Sequence, residues 1–313
     1  MKNSNVKVLY ITGWGRSGTT ILDRILGQIP GFNSVGEVRY IWDRNFIGNH
    51  LCGCGEHFRD CPEWQAIVED AFGGYDSVDP NRMIQLRDRL TRTRHLAGLA
   101  VPGATRRALW ENAREYLTNL ILLYKSIQNH FGCNVIVDSS KFPTYAFTLD
   151  ILKEIDLYVV HLVRDPRAVS FSWLRRKLQP DTGTMQPMDE HGPIFSTLLW
   201  DSWNVATEAT WGKRPERYVF MRYEDFVRQP RKAIIRILRR FGESTERLPF
   251  VDDHTVYLGK DHTCSGNPNR FQEGEVTLRM DDEWTRKMRP RDKYLVTALS
   301  MPFLHRYGYP IFV

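Results

Sequence analysis

The sequence lacks any hydrophobic run that approaches the roughly 18–20 consecutive apolar residues needed to cross a membrane. It also lacks the features of a signal peptide, because residues 1–5 lead directly into a strand-like segment without a small-residue cleavage site. From these two absences we expect a protein of the cytoplasm that has no membrane span.

Cysteine is scarce, with five in 313 residues, and an odd number does not suit a secreted disulfide framework. Cys52, Cys54 and Cys61 nevertheless cluster in one segment, together with His50 and His57. These side chains could form a zinc site, but Cys-x-Cys-x6-Cys is not the spacing of a standard finger and no fourth ligand is evident. A reduced buried cluster and a local disulfide are at least as compatible with the pattern. The alternatives therefore stay open, and no metal site is predicted.

The sequence also lacks a strong net charge of either sign. It has 43 Lys and Arg and 37 Asp and Glu, which give a formal net charge of +6. The mild basic excess suits an anionic ligand. The arginine-rich part from Arg82 to Arg94 has no interleaved aromatic residues, so it is more typical of an exposed helix face than of a nucleic-acid stripe. We expect no nucleic-acid partner. The length allows one large α/β domain or two smaller ones.

The most informative stretch runs from Gly13 to Thr20, between a β-branched apolar run and residues with helical spacing. A strand, a glycine-rich loop and a helix in this order present backbone N–H groups to a phosphate. The Gly13-x4-Gly18 spacing matches a Walker A loop, but Thr19 stands where that motif needs Lys. The basic side chain is instead Arg16, inside the loop. The loop therefore predicts oxyanion binding, while the nucleoside-triphosphatase signature is broken.

Other predicted strands also end at basic or hydroxyl residues, which include Lys141, Arg164 with Ser172 on the next helix, and Tyr223. The carboxyl ends of parallel strands meet at one edge of a sheet, so we expect these residues beside the glycine-rich loop. Glu37, after a short strand or turn, is a further candidate for the same edge. His161, within a buried strand, is predicted to be a satisfied core residue.

Two segments interrupt this α/β order. Residues 40–132 have mostly helical periodicity and predict a helical insertion that covers the site, divided into two hairpins at Pro102-Gly103. Residues 180–194 are rich in Pro, Gly, Asp and Met without a clear period, which predicts a mobile lid over the acceptor. We expect one domain over residues 1–313.

The motifs together resemble those of the sulfotransferases that depend on 3′-phosphoadenosine 5′-phosphosulfate (PAPS). Gly13–Thr20 is similar to the family's 5′-phosphosulfate loop. His161–Ser172 resembles its 3′-phosphate motif, in which an Arg and a Ser eight residues on hold the 3′-phosphate. Met221–Phe226 resembles a third block, whose Tyr lies beside the adenine. The resemblance covers about half of the chain and implies a P-loop-NTPase-like fold, with a central parallel sheet flanked by helices.

The pattern is most similar to the bacterial small-molecule and tyrosylprotein branches of that family, because Arg16 lies in the loop and the Gly36-Glu37 pair follows it. The resemblance implies that Glu37 is the general base and that Arg16 and Lys141 stabilise the leaving 5′-phosphate. The cofactor-binding residues that it implies are Gly15, Arg16, Ser17, Gly18, Thr19, Thr20, Arg164, Ser172 and Tyr223, with Asn267 and Arg270 from a basic loop near the carboxyl end.

The implied activity is transfer of a sulfuryl group from PAPS to a hydroxyl, or an amine, of a small-molecule acceptor, without a metal and in the manner of secondary metabolism. The alternatives are a P-loop kinase or nucleoside triphosphatase, and a non-catalytic nucleotide- or nucleic-acid-binding protein. The missing Walker Lys argues against the first of these.

Overall fold

The computed structural model describes residues 5–100 and 110–312, with side chains described outside 97–100. The predicted break at Pro102-Gly103 lies outside the described residues. The strands are β1 (Val6–Thr12), β2 (Phe32–Gly36), β3 (Val135–Lys141), β4 (Ile155–Val163), β5 (Leu178–Gln179), β6 (Gln186–Pro187), β7 (Tyr218–Arg222), β8 (Thr255–Leu258) and β9 (Gly274–Thr277).

The described α-helices are α1 (Thr19–Gly27), α2 (Pro62–Phe72), α3 (Pro80–Thr91), α4 (Arg114–Phe131), α5 (Pro143–Asp150), α6 (Pro166–Leu174), α7 (Pro193–Trp211), α8 (Tyr223–Arg228), α9 (Pro230–Arg240), α10 (Trp284–Lys287) and α11 (Pro290–Arg306). Many begin with proline, whose fixed φ and missing N–H suit the first helical position. Asp165 caps α6, because its side chain accepts a hydrogen bond from the N–H of Arg167.

Five strands form a central parallel sheet in the order β2-β3-β1-β4-β7 among the described residues. The inner strands β1 and β4 are mostly apolar and mostly buried, as expected when helices cover both faces of a sheet. Apolar side chains of α2, α4 and α5 fill the core on one face, and those of α1, α8 and α9 fill it on the other. The predicted α/β class with a parallel sheet flanked by helices is confirmed.

The register of the sheet brings several strand ends to one edge. Thr12, the last residue of β1, pairs with Lys141 of β3 and with His161 of β4. Gly36, the last residue of β2, pairs with Asp138 of β3. The residues that follow these positions therefore converge at the carboxyl edge of the sheet, where open α/β sheets bind their ligands.

Residues 180–194 are largely irregular, with strand or helix only at 186–187 and 193–194. Part of this segment closes a short antiparallel hairpin between β5 and β6, and α7 already begins at Pro193. The β8–β9 hairpin was not predicted from the sequence. In the described ranges, no helix combines the length and the apolar character that a membrane crossing requires.

His161 is a satisfied core residue, as predicted. Its side chain is fully buried, with Nδ1 2.7 Å from the hydroxyl of Tyr218 and Nε2 2.8 Å from Oδ1 of Asn204. Burial lowers the pKa of His161 to about 4, so the imidazole stays neutral near neutral pH.

Candidate active site

The glycine-rich loop is held tightly against its neighbours. Gly13 has φ +141°, and a Cβ there would lie 2.3 Å from the carbonyl oxygen of Leu162 in β4. Gly18 has φ +87°, and a Cβ there would lie 2.6 Å from the ring of Tyr223. Both positions need glycine for conformation and for space. Gly18 is also the N-cap of α1 and offers no side-chain cap, which leaves the first N–H groups of the helix for a ligand.

A cavity of about 590 Å³ opens at this loop and at the carboxyl edge of the sheet. It brings together most of the residues predicted from the sequence. Those that line it are Gly15, Arg16, Gly18, Thr19, Thr20, Glu37, Lys141, Arg164, Ser172, Tyr223 and Asn267.

Arg16 is a half-buried cation without a carboxylate partner among the described residues. Its guanidinium lies 4.6 Å from the ring centroid of Trp173, and Nη1 and Nη2 lie 3.5 and 3.6 Å from Sδ of Met188. The pKa of Arg16 is lowered by burial, a sign that its charge is incompletely compensated. A thioether is a weak hydrogen-bond acceptor, so Arg16 is available to an anion in the cavity.

Glu37 and Lys141 form an ion pair at the cavity wall. Nζ of Lys141 donates to Oε1 of Glu37 and also lies 3.2 Å from the carbonyl oxygen of Ser139. The backbone N–H of Glu37 donates to the carbonyl oxygen of Ser265 at 3.1 Å. Lys141 adopts a left-handed φ of +73°, which is unusual for a residue with a side chain.

Arg164 is held between the loop and a carboxylate. Nη1 donates to the carbonyl oxygen of Arg16 at 3.1 Å, and Nη2 donates to Oδ2 of Asp281 at 3.0 Å. The guanidinium stacks 4.5 Å from the ring centroid of Tyr223. Nε of Arg164 is buried and has no hydrogen-bond partner among the described residues. Ser172 lies in the wall of the same cavity.

Two of the predicted site residues do not line the cavity. Ser17 is fully buried, and its Oγ has no hydrogen-bond partner in the described part of the chain. Arg270 is 1% exposed and lies behind the wall, where it donates to the carbonyl oxygens of Thr263 and Leu51 and pairs with Asp181 at 3.2 Å. With these partners, Arg270 links three separate segments of the chain behind the cavity wall.

Aromatic side chains that were not expected from the sequence also line the cavity. Trp14 lies 4.7 Å from Trp203 in an edge-to-face arrangement, and Phe142 lies 4.3 Å from Trp203 between ring centroids. Trp173 lies 4.3 Å from His191. The spacing of the tryptophans on α6 and α7 is compatible with ordinary core packing, so periodicity gave no signal for this role.

The described side chains of the insertion that line the cavity are Tyr40, Arg44 and Thr93. Among the described residues, α6, α7 and the segment before α7 supply most of the apolar side chains of the wall. Arg44 stacks 4.0 Å from the ring centroid of Tyr40 and donates to Oγ of Ser265 at 2.7 Å.

Asp138 is an acidic residue of β3 near the strand ends, but it lies in the core rather than in the cavity wall. Its carboxylate accepts hydrogen bonds from the hydroxyl of Tyr124 and, at 2.7 Å, from the N–H of Ser140. Burial raises the pKa of Asp138 to about 6. The side chain is fully buried and is not part of the cavity wall.

Comparison with known proteins identifies a family. A profile described as "Sulfotransferase family" matches residues 9–247, which include the glycine-rich loop and the ends of the sheet strands. A comparison with curated protein sequences finds no match.

Solved structures with a similar fold include the Sulfotransferase Domain from the Curacin Biosynthetic Pathway, with 16% identity, a TM-score of 0.56, and coverage of 98% of this chain and 99% of that one. The Sulfotransferase Domain from the Synechococcus PCC 7002 Olefin Synthase has 20% identity and a TM-score of 0.49, with coverage of 97% and 96%. The first likeness supports a common fold.

Proposed function

The chain belongs to the sulfotransferase family, and on that premise we propose that it transfers a sulfuryl group from PAPS to a hydroxyl, or an amine, of an apolar small molecule. One observation carries the proposal. The Glu37–Lys141 ion pair lies in the wall of the cavity that the glycine-rich loop, Arg16 and Arg164 also line. A proton acceptor and several anion-binding groups therefore face the same space.

The donor end of the site suits a nucleotide that carries phosphate groups on both the 3′ and the 5′ positions of its ribose. The glycine-rich loop and the start of α1 supply N–H groups for the phosphosulfate, with Arg16 and Lys141 as cations. We assign the 3′-phosphate to Arg164 and Ser172, because a guanidinium binds a phosphate through charge-assisted hydrogen bonds. Asp281 pairs with Arg164 in the present structure and would exchange for that phosphate. Tyr223 offers its ring to the adenine.

The proposed reaction is an in-line displacement at sulfur. Glu37 takes the proton from the acceptor hydroxyl as the acceptor oxygen forms its bond to sulfur. The bond between sulfur and the bridging oxygen of the 5′-phosphate breaks, and its electron pair remains on the phosphate of the departing nucleotide. Arg16, Lys141 and the loop N–H groups stabilise the negative charge that develops there.

The acceptor end of the site is apolar. Trp14, Trp173, Trp203 and Phe195 line the cavity on the side of α6 and α7. Such a surface favours a ring or an alkyl chain, because apolar area removed from water contributes roughly 25 cal/mol per Å². We therefore propose a phenol or an apolar alcohol, with the reacting oxygen directed at Glu37.

The segment before α7 completes the acceptor side. Met188, Asp189 and His191 line the cavity, and the β5–β6 hairpin lies next to them in the chain. We retain the prediction that this segment opens and closes as a lid, and that the chain works as a single domain.

Binding of the product nucleotide, 3′-phosphoadenosine 5′-phosphate (PAP), tests the donor assignment by calorimetry. PAP is expected to bind at least roughly tenfold more tightly than ADP, which lacks the 3′-phosphate, since one lost charged hydrogen bond costs about 1.5–3 kcal/mol. Equal affinities for PAP and ADP, or tighter binding of ATP with Mg²⁺, would overturn the proposal.

A further inference from the structure

The three clustered cysteines meet a histidine from a distant part of the chain. The sulfur atoms of Cys52, Cys54 and Cys61 and a ring nitrogen of His262 all lie within 4.8 Å of one another. Nδ1 of His262 lies 3.3 Å from Sγ of Cys61 and 3.9 Å from Sγ of Cys52. Cys52 and Cys61 are fully buried, whereas Cys54 and His262 are half-buried, and all the cysteines are free thiols.

We propose that these four side chains bind one zinc ion. Three thiolates and one imidazole are a ligand set of structural zinc sites, which are four-coordinate and tetrahedral. Ligand atoms at about 2.3 Å (sulfur) and about 2.0 Å (nitrogen) from a tetrahedral zinc lie about 3.5–3.8 Å from one another. Nδ1 of His262 lies 3.3 Å from Sγ of Cys61 and 3.9 Å from Sγ of Cys52, and these two distances bracket that range. Soft thiolate ligands also select zinc over magnesium and calcium.

The fold is built to bring the two halves of this site together. The N–H of Gly53, between the first two cysteines, donates to the carbonyl oxygen of Thr263 at 2.9 Å. A Cβ on Gly53 would lie 2.2 Å from Oδ1 of Asp261, so only glycine allows this approach. Nε1 of Trp64 donates to the carbonyl oxygen of His262 at 2.8 Å and fixes the backbone of that ligand. Such surrounding hydrogen bonds are typical of metal sites that hold their ligands in place.

The proposed ion is structural, because four protein ligands leave no open coordination position. None of the four ligands lines the cavity described above. The segment that carries His262 continues to Cys264, whose N–H donates to the carbonyl oxygen of Val35 at 3.0 Å, and to Ser265, which accepts the N–H of Glu37. Zinc would therefore tie the insertion to the segment that supports Glu37.

Zinc content of the full chain tests the site directly. The protein is produced in zinc-supplemented medium, desalted under reducing conditions and measured by inductively coupled plasma mass spectrometry. Wild type is expected to hold about one zinc per chain, and Cys61→Ser and His262→Asn less than about a fifth of that. The control is Cys133→Ser, which alters a buried cysteine outside the cluster and should keep the wild-type content. Chelation should lower the Tm of wild type by about 5 °C or more.

X-ray absorption of zinc-loaded wild type decides the ligands even if neither cluster variant folds. Sulfur scatterers at about 2.3 Å and a nitrogen at about 2.0 Å are expected. A spectrum without sulfur, a wild type that remains free of zinc after incubation with zinc chloride, or full zinc content in both cluster variants would overturn the proposal. So would a disulfide among these cysteines, seen as fewer than five titratable thiols in the denatured, non-reduced protein.

Discussion

Lys141 donates a hydrogen bond from its Nζ to Oε1 of Glu37, and the two residues come from the ends of adjacent strands. The pairing of Gly36 with Asp138 sets both ends at the same edge of the sheet. The side chain of Glu37 is only 8% exposed and that of Lys141 only 13%, so solvent screens the pair weakly. The pair therefore sets a carboxylate and a cation side by side, and the proposed reaction uses the first as proton acceptor and the second to stabilise the leaving group.

Replacement of the proposed base tests this arrangement. Glu37→Gln keeps the shape of the side chain but removes its capacity to take a proton, so kcat should fall by about 10²–10⁴. The affinity for PAP should stay near the wild-type value, as measured by calorimetry. Glu273→Gln, at an exposed position, is the matched control with full activity. Near-full turnover by Glu37→Gln would remove Glu37 from the mechanism.

Substitution of Arg164, the residue proposed to bind the 3′-phosphate, should weaken the binding of PAP more than that of ADP. Arg164→Ala should weaken PAP binding by about 10–100-fold, because hydrogen bonds to charged groups contribute about 1.5–3 kcal/mol. ADP binding should change much less, since ADP has no 3′-phosphate. The exposed Arg228→Ala is the control. An equal loss of affinity for both nucleotides would contradict a specific role toward the 3′-phosphate.

Substitution of two glycines with left-handed backbones distinguishes the effect of backbone strain from that of a steric clash. Gly18 and Gly132 have φ of +87° and +57°, but only at Gly18 would a Cβ collide, with the ring of Tyr223; no atom lies within 4 Å at Gly132. Each Ala variant should lose roughly 1 kcal/mol of stability from backbone strain. Only Gly18→Ala should also weaken PAP binding, by roughly tenfold or more. Equal PAP affinities for the two variants, measured by calorimetry, would show that the loop tolerates displacement.

The buried His161 predicts a defined dependence of stability on pH. Its pKa falls from 6.5 to about 4 on folding, with burial as the main cause. The hydrogen bond to Oδ1 of Asn204 and the charge of Glu208 oppose this shift. The unfolded chain therefore binds the proton between these values, and stability is lost as pH falls through that window. From about pH 7.5 to about pH 5 the contribution amounts to about 2 kcal/mol.

Chemical denaturation at about pH 7.5 and about pH 5 tests whether His161 lowers the stability of the protein in acid. His161→Gln should lose less stability than wild type on acidification, by about 2 kcal/mol. The exposed His305→Gln should keep the wild-type dependence. The same acid-induced loss in His161→Gln as in wild type would mean that another group causes it.

Much of the fold could be predicted because its signals are local. The apolar run before Gly13, the Asp165-Pro166 helix start and the buried run around His161 each depend on neighbouring residues. The β8–β9 hairpin escaped prediction because its short strands alternate exposed and buried positions only over a few residues. Residues 180–194 lacked periodicity because the hairpin there pairs only two residues of each strand.

The polar half of the site was also predictable, because strand ends in a parallel sheet share one edge. Contacts between distant segments were not. Arg270 was expected in the cofactor site, but its partners Leu51 and Asp181 lie far away in sequence and draw it behind the wall. His262 escaped notice as a partner of Cys61, since 201 positions separate them.

Sulfuryl transfer itself tests the proposed function most directly. The protein is incubated with PAPS labelled in its sulfuryl group and a panel of phenols and apolar alcohols, and products are read by mass spectrometry. We expect one acceptor to gain a sulfuryl group, with PAP released in equal amount and no requirement for Mg²⁺. Failure of the protein to bind PAPS or transfer its label, or transfer of the γ-phosphoryl group of ATP in the parallel reaction, would contradict it.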